Sequence, residues 1–180
     1  MDQKIRLRPA GPEDKVKIFN WLTKSDLTRE MLGPPKFPDA PIPTWEDFSA
    51  DYIDHYFDDA QPLLGRCFII EYQYTEIGQI NYNQIDRIEK STEIDIWLAD
   101  SRYAGKGWGI EAVRIFCNYL HQTLGCEKIY IAPSKRNTRA IKAYKKAGFS
   151  ETRNLPHNFI PDYSDSIVLI KNYQNKITGA

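Results

Sequence analysis

Thr92-Glu93-Ile94-Asp95-Ile96-Trp97-Leu98-Ala99 alternates polar and apolar side chains with a period of two, the pattern of a strand with one buried face. After it, Ala104-Gly105-Lys106-Gly107-Trp108-Gly109 opens a run whose apolar positions, Ile110, Val113, Phe116 or Cys117, and Leu120, recur at helical spacing until Gly125 supplies a stop. The same reading predicts a strand at 5–8 ended by Pro9, and a helix carrying Val16, Ile18, Phe19 and Leu22. A Pro-rich loop follows from Gly33 to Pro43, then a helix from the N-cap Thr44 to about Asp59. Residues 66–72 and 77–83 read as a hairpin through Thr75, and 128–132 as a further strand. Asn137 caps a helix ending at Gly148, and 149–153 and 166–170 close the sheet. Strands and helices alternating in this way predict an α/β chain of the mixed, α+β kind. No repeat, low-complexity tract or linker interrupts it, so residues 1–180 are expected to form a single domain.

Charge changes the picture locally rather than globally. The 24 basic and 24 acidic residues of the 180-residue chain cancel, which removes any general argument for a nucleic-acid or membrane partner. Between Lys36 and Arg66 there is no Lys or Arg, while Asp39, Glu46, Asp47, Asp51, Asp54, Asp58 and Asp59 all fall there. Later the sign reverses, with Lys135, Arg136, Arg139, Lys142, Lys145 and Lys146 in an acid-free stretch. One part is suited to a cation and the other to an anion. No apolar run approaches the roughly 20 residues of a membrane-spanning helix, and Met1-Asp2-Gln3-Lys4 lacks the apolar centre of a signal peptide, so a cytoplasmic location is expected. Cys67, Cys117 and Cys126 have no metal-ligand spacing, and no metal is expected.

The turn at 104–109 carries the first chemistry. Glycines let backbone approach a ligand closely, and the helix that follows places its positive dipole end at the same spot, a combination suited to phosphate. This turn, the strand before it, and Lys128-Ile129-Tyr130-Ile131 followed by Asn137-Thr138-Arg139-Ala140-Ile141-Lys142-Ala143-Tyr144-Lys145-Lys146-Ala147-Gly148-Phe149 closely resemble the GCN5-related N-acetyltransferases (GNAT). Ile94-Asp95 with Leu98-Ala99-Asp100 and the G-K-G-x-G turn is most similar to the aminoglycoside 6′-N-acetyltransferases of that superfamily.

The resemblance implies a curved, mostly antiparallel sheet splayed at its centre, and acetyl-CoA as the cofactor. It would lie against Leu98 and Ala99 and the turn that starts at Ala104, in a cradle of main-chain N–H groups from Gly105, Lys106, Gly107, Trp108 and Gly109, with Asn137 bonding its pantetheine arm and Ala140 and Tyr144 also at the cofactor. Ala104 stands where the family usually has Arg or Gln, which removes one side-chain contact to the pyrophosphate; Arg102 is a nearby substitute. Moving an acetyl group from a thioester to an amine needs a base for the ammonium, a site for the oxyanion and a proton for the thiolate. Glu93 and Asp95 share one face of their strand, where a carboxylate is costly without a role or partner. The resemblance puts the base at Asp95; Glu93, or neither, is the alternative. Tyr144 is the acid candidate, against the reading that its ring only packs and orients the cofactor.

The acceptor side follows from the acids. On a continuous helix over 44–59, Asp47, Asp51, Asp54 and Asp58 fall within about 60° of one another, opposite Trp45, Phe48, Tyr52 and Tyr56. Such a stripe is either a solvated face or a surface for a polycationic amine. Asp51 and Asp54, with Trp97 and Asp162, are the expected substrate-binding residues. His157 near Asp162 either borders the substrate mouth or belongs to a plain surface loop. Cys117 and His121 share a helix but lack the third member of a nucleophilic site. The reading is therefore an N-acetyltransferase, monomer or homodimer, acting by direct attack on a small polycationic amine. A peptide or protein N-terminal acetyltransferase of the ribosomal-protein-modifying type, and a non-catalytic acyl-CoA-binding module, are the alternatives.

Overall fold

A computed structural model describes residues 5–32, 42–156, 159–160 and 162–173. Residues 33–41 of the expected Gly33–Pro43 loop, and His157, lie outside the described residues. Seven strands, β1 (Ile5–Pro9), β2 (Gly65–Tyr72), β3 (Thr75–Asn83), β4 (Ser91–Leu98), β5 (Lys128–Ile131), β6 (Ser150–Glu151) and β7 (Leu169–Asn172), form one sheet in the order β1-β2-β3-β4-β5-β7-β6. Every pairing is antiparallel except β4 with β5. That parallel pair holds only where Ser91, Thr92 and Glu93 face Lys128, Ile129 and Tyr130. Beyond it, β4 pairs with β3 alone, and β5 stops just before Pro133, which has no N–H to extend a ladder. The sheet parts there, as the resemblance implied, and Asp95 lies just past the parting.

Helices cover both faces. α4 (Trp108–Leu124) buries Ala112, Val113, Phe116, Cys117 and Leu120 against Phe68, Ile70, Ile80, Tyr82, Ile94 and Ile129. It starts from Gly107 at φ 84° and ends at Gly125 at φ 71°, left-handed positions that suit glycine at both ends. On the other face α1 (Lys15–Lys24) and α3 (Trp45–Asp51) cover Cys67, Ile69 and Trp97 with Ile18, Leu22 and Phe48. Two further helices are α2 (Thr28–Met31) and α5 (Thr138–Lys146).

Several expectations shift. The β2–β3 turn is Gln73-Tyr74, both at positive φ (48° and 67°), with Tyr72 opposite Thr75; β3 therefore begins at Thr75 rather than 77. The closing strands are shorter, Ser150–Glu151 and Leu169–Asn172 in place of 149–153 and 166–170. The helix expected over 44–59 ends at Asp51. Tyr52 leaves helical geometry at φ −99°, ψ 69°, and a separate 3-10 turn spans Asp54–Phe57. Acids repeating at four-residue spacing, among aromatic and β-branched residues of modest helix propensity, give a longer helix little support.

That break disperses the acidic stripe. Asp47 turns back on its own helix start, accepting from the Thr44 N–H at 2.9 Å, and Asp58 accepts from the Ala60 N–H at 2.9 Å. Asp54 is fully exposed with Lys15 Nζ 4.0 Å away. Of the four, Asp51 alone lines either of the two cavities described below.

Candidate functional site

Two cavities meet at the parting of the sheet. The first, about 340 Å³, lies between the end of β4, the 104–109 turn and α5. Of the residues expected around a cofactor, Leu98, Ala104, Gly105, Gly107, Gly109, Asn137, Ala140 and Tyr144 line it, whereas Ala99, Lys106 and Trp108 do not. The Trp108 ring instead stacks on Tyr72, centroids 4.0 Å apart, with Lys106 Nζ 4.7 Å above it. Arg102 also lies off the lining; its Nε donates to Asp100 at 2.9 Å. Three cations of the basic stretch, Arg139, Lys142 and Lys146, do line the cavity. A Cβ built at Gly105, Gly107 or Gly109 meets nothing within 4 Å, so the space before the turn is open. Open backbone at the start of a 17-residue helix, with cations opposite, fits a phosphate-bearing ligand.

The second cavity, about 550 Å³, opens beneath α3 and carries the acids. Asp51, Glu93, Asp95 and Asp162 line it together with Glu30, and no Lys or Arg is among its described lining residues. Trp97 also lines it, 93% buried (7% exposed), with the Tyr52 ring edge-on at 5.9 Å. The two cavities share Glu30, Met31, Ile96, Trp97, Asn137 and Tyr144. Tyr144 thus stands at the junction, one side toward each.

Electrostatics follow from burial. Asp95 is pushed above the ordinary carboxylate range by desolvation first and by the Asp162 charge second, with hydrogen bonds from Asn83 and Asn81 acting the other way. Glu93 is raised further, by desolvation and then by Asp95 and Asp162, and Asp162 by desolvation and Asp51. Burial also raises the Tyr144 phenol, and the Asp95 charge adds to it, so it keeps its proton through neutral pH.

Several residues that shape this site were not singled out from the sequence. Gln79, Asn81 and Asn83 alternate along β3 on the face toward α3, and Gln79 and Asn81 are fully buried. Asn81 Nδ2 and Asn83 Nδ2 both donate to Asp95 Oδ2, at 3.3 and 3.2 Å. Tyr52 and Tyr56 hydroxyls donate to the oxygens of Asn81 and Asn83, at 3.3 and 3.0 Å. The alternation of Gln79-Ile80-Asn81-Tyr82-Asn83 was legible as a strand, but it reads equally as a solvent face. α2 was also missed. It is fixed across the junction by Asn137 Nδ2, which donates to the Glu30 carbonyl at 3.1 Å, by an Arg139–Glu30 ion pair at 2.6 Å, and by the Tyr163 hydroxyl on the Met31 carbonyl. Cys117 is buried, and His121 instead faces the Cys126 carbonyl at 2.9 Å, so no nucleophilic site forms there.

The model of the acetyltransferase (GNAT) domain matches residues 4–150, and the chain belongs to this family of N-acetyltransferases. It is 25% identical over 155 residues to spermidine N(1)-acetyltransferase of Escherichia coli K12, covering 86% of this chain and 77% of that one. It is 26% identical over 152 residues to aminoglycoside N(6′)-acetyltransferase type 1 of Klebsiella pneumoniae, covering 81% and 73%. Among solved structures it is similar to AAC(6′)-Ib in complex with ribostamycin and coenzyme A, with TM-score 0.72 and 23% identity over 94% of each chain. It is similar too to spermidine N-acetyltransferase of Vibrio cholerae in complex with CoA and spermine, with TM-score 0.71 and 22% identity over 95% and 96%. The fold is shared with these enzymes, and the resemblance read from the 104–109 turn and the Asn137 segment is borne out at the level of the family.

Proposed function

We propose that this chain transfers the acetyl group of acetyl-CoA to a primary amine of a small polycationic acceptor, of the polyamine or aminoglycoside kind. One observation carries the reading: a cavity lined by the carboxylates of Asp51, Glu93, Asp95 and Asp162, with no Lys or Arg among its described lining residues, joins, at Tyr144, a second cavity lined by Arg139, Lys142 and Lys146. Complementary charge favours a polyamine in the first and a phosphate-bearing donor in the second. The relatives named for spermidine and for aminoglycosides support the same acceptor class.

The chemistry assigns roles to residues at the junction. The amine nitrogen attacks the thioester carbonyl carbon, and the carbon–sulfur bond breaks. Asp95 removes the ammonium proton, directly or through one water, its raised proton affinity bringing it nearer to neutral pH. Tyr144 gives its phenolic proton to the departing sulfur and is restored, through solvent, by the second proton that the nitrogen sheds as the amide forms. The backbone of Gly105, Gly107 and Gly109, which lines the donor cavity, would hold the pyrophosphate, while Asp51, Glu93 and Asp162 would hold the acceptor's other ammonium groups. Thiol release from acetyl-CoA, measured across polyamines, aminoglycosides, amino acids and short peptides, tests this reading. Turnover with polyamines or aminoglycosides is expected; turnover with neutral amines or peptides alone would overturn it.

A further inference from the structure

The Asp95 carboxylate is held asymmetrically. Oδ2 accepts two carboxamide N–H groups, from Asn81 at 3.3 Å and Asn83 at 3.2 Å, and both donors come from β3. The amides are themselves turned by their neighbours. Asn83 Oδ1 accepts from the Tyr56 hydroxyl at 3.0 Å and from Asn81 Nδ2 at 3.1 Å, so its NH2 is directed away from these partners and onto Asp95. Asn81 Oδ1 accepts from the Tyr52 hydroxyl at 3.3 Å and from Gln79 Nε2 at 3.1 Å, with the same result. Tyr56 is fixed in turn through its carbonyl, which accepts from the buried Arg66 guanidinium at 2.9 Å. A chain of oriented dipoles thus runs across the sheet from β3 to one oxygen of one carboxylate.

We propose that Asn81 and Asn83 are positioning residues for proton transfer: they fix Asp95 Oδ2 as a permanent acceptor and so present Oδ1 to the acceptor's ammonium. This deepens the proposed function and rests on Asp95 being the base. Two neutral donors stabilise the carboxylate without cancelling its charge, which a Lys or Arg at the same place would do. They also offset the acidic surroundings. Glu93 faces Asp95 on its own strand, Asp162 and Tyr163 from the segment before β7, Tyr52 and Tyr56 from the α3 side, Tyr144 from α5 and Cys67 from β2; all are neutral or negative. Without the two amides this company would hold the proton on Asp95 to a higher pH.

The pH profile of kcat/KM with spermidine as acceptor tests the proposal, on full-length Asn83→Ala, Asn83→Asp, Tyr56→Phe and Asp95→Asn. Loss of the Asn83 donor is expected to move the acid limb upward by about one pH unit, a tenfold loss at any pH on that limb. Asn83→Asp, which puts a like charge beside Asp95, is expected to move it further, and Tyr56→Phe in the same direction by less. A merely structural role would lower the profile uniformly and leave the limb in place; that result overturns the proposal. If Asn83→Ala does not fold, an unmoved limb in Tyr56→Phe overturns it equally. Parent-level turnover in Asp95→Asn would show instead that Asp95 is not the base. An inactive Asp95→Asn beside unmoved limbs would leave the base in place and remove only the positioning role.

Discussion

The side chain of Asn137 ties the start of α5 to Glu30 of α2. Its Oδ1 accepts from the Ala140 N–H and its Nδ2 donates to the Glu30 carbonyl, both at 3.1 Å. One residue therefore caps a helix and fastens the element that separates the two cavities. Asn137→Ala is expected to cost about 1 kcal/mol for the cap, or roughly 2–4 °C in Tm for a chain of this size. Acetyl-CoA affinity should fall at the same time, because α2 loses a fixing point beside the donor cavity. Thermal unfolding and calorimetry on the same variant check both outcomes.

Gly107 makes a different demand. At φ 84° it starts α4 from a left-handed conformation, and a Cβ there would project into open space. Gly107→Val is therefore expected to strain the backbone by about 1–2 kcal/mol without any clash inside the protein. Its added methyl groups would occupy the space in front of the turn. A folded variant with acetyl-CoA affinity reduced at least tenfold by calorimetry is expected.

Proton traffic makes the third prediction. Asp95→Asn is expected to lower kcat by about 10²-fold or more, and Tyr144→Phe by a similar or smaller factor, with acetyl-CoA affinity retained. Single-turnover rates on preformed acetyl-CoA complexes separate these effects from binding. Full activity in both variants across the pH range would mean that approximation and solvent carry the reaction.

What the sequence revealed and what it did not divides along one line. β4, α4 and the Asn137-capped α5 were legible because their patterns are local: a period of two, a helical period ended by Gly125, and a capping side chain. The 44–59 segment misled for the same reason. Its period was helical, but the chain bends at Tyr52, and Tyr52 and Tyr56 hydrogen-bond side chains of β3 some 27–29 residues away in sequence. Nothing local signals such partners. Glu93 and Asp95 drew attention as acids in an apolar strand, whereas Asn81 and Asn83, equally placed on β3, did not, because their meaning depends on which strand lies beside them.

Burial of the acidic pair also sets a stability trend. Glu93 and Asp95 hold their protons to higher pH in the folded chain than in the unfolded one, through desolvation and through the neighbouring carboxylates. Between the two titrations the folded protein binds more protons, so stability is greatest below the unfolded carboxylate range and falls as pH rises through the folded one. Glu93→Gln is expected to raise Tm above pH 7 by roughly 2–4 °C per kcal/mol of relieved strain, and to have little effect near pH 4. Calorimetric melts of parent and variant over pH 4–8 check the sign; a stabilisation that grows as pH falls would contradict it.

The dispersal of the acidic stripe turns the substrate question into a comparison of three single variants. Asp51 and Asp162 line the acid cavity, and the Asp51 charge raises the Asp162 carboxyl, so the two face a common space. Asp54 lies outside it, fully exposed beside Lys15. A polyamine seated among Asp51, Glu93, Asp95 and Asp162 would relieve their mutual repulsion, and that attraction weakens with salt because the screening length is about 10 Å at 0.1 M. Asp51→Asn and Asp162→Asn are each expected to raise KM for spermidine by about three- to tenfold, a few kilojoules of lost attraction at a partly screened site. KM for acetyl-CoA should not move, and the dependence of KM on salt should become shallower. Asp54→Asn is expected to match the parent in all three measurements. If Asp54→Asn raises KM as much as the other two, the acceptor is drawn by the general charge of this region rather than held in the cavity beneath α3, and the assignment of that cavity to the amine fails.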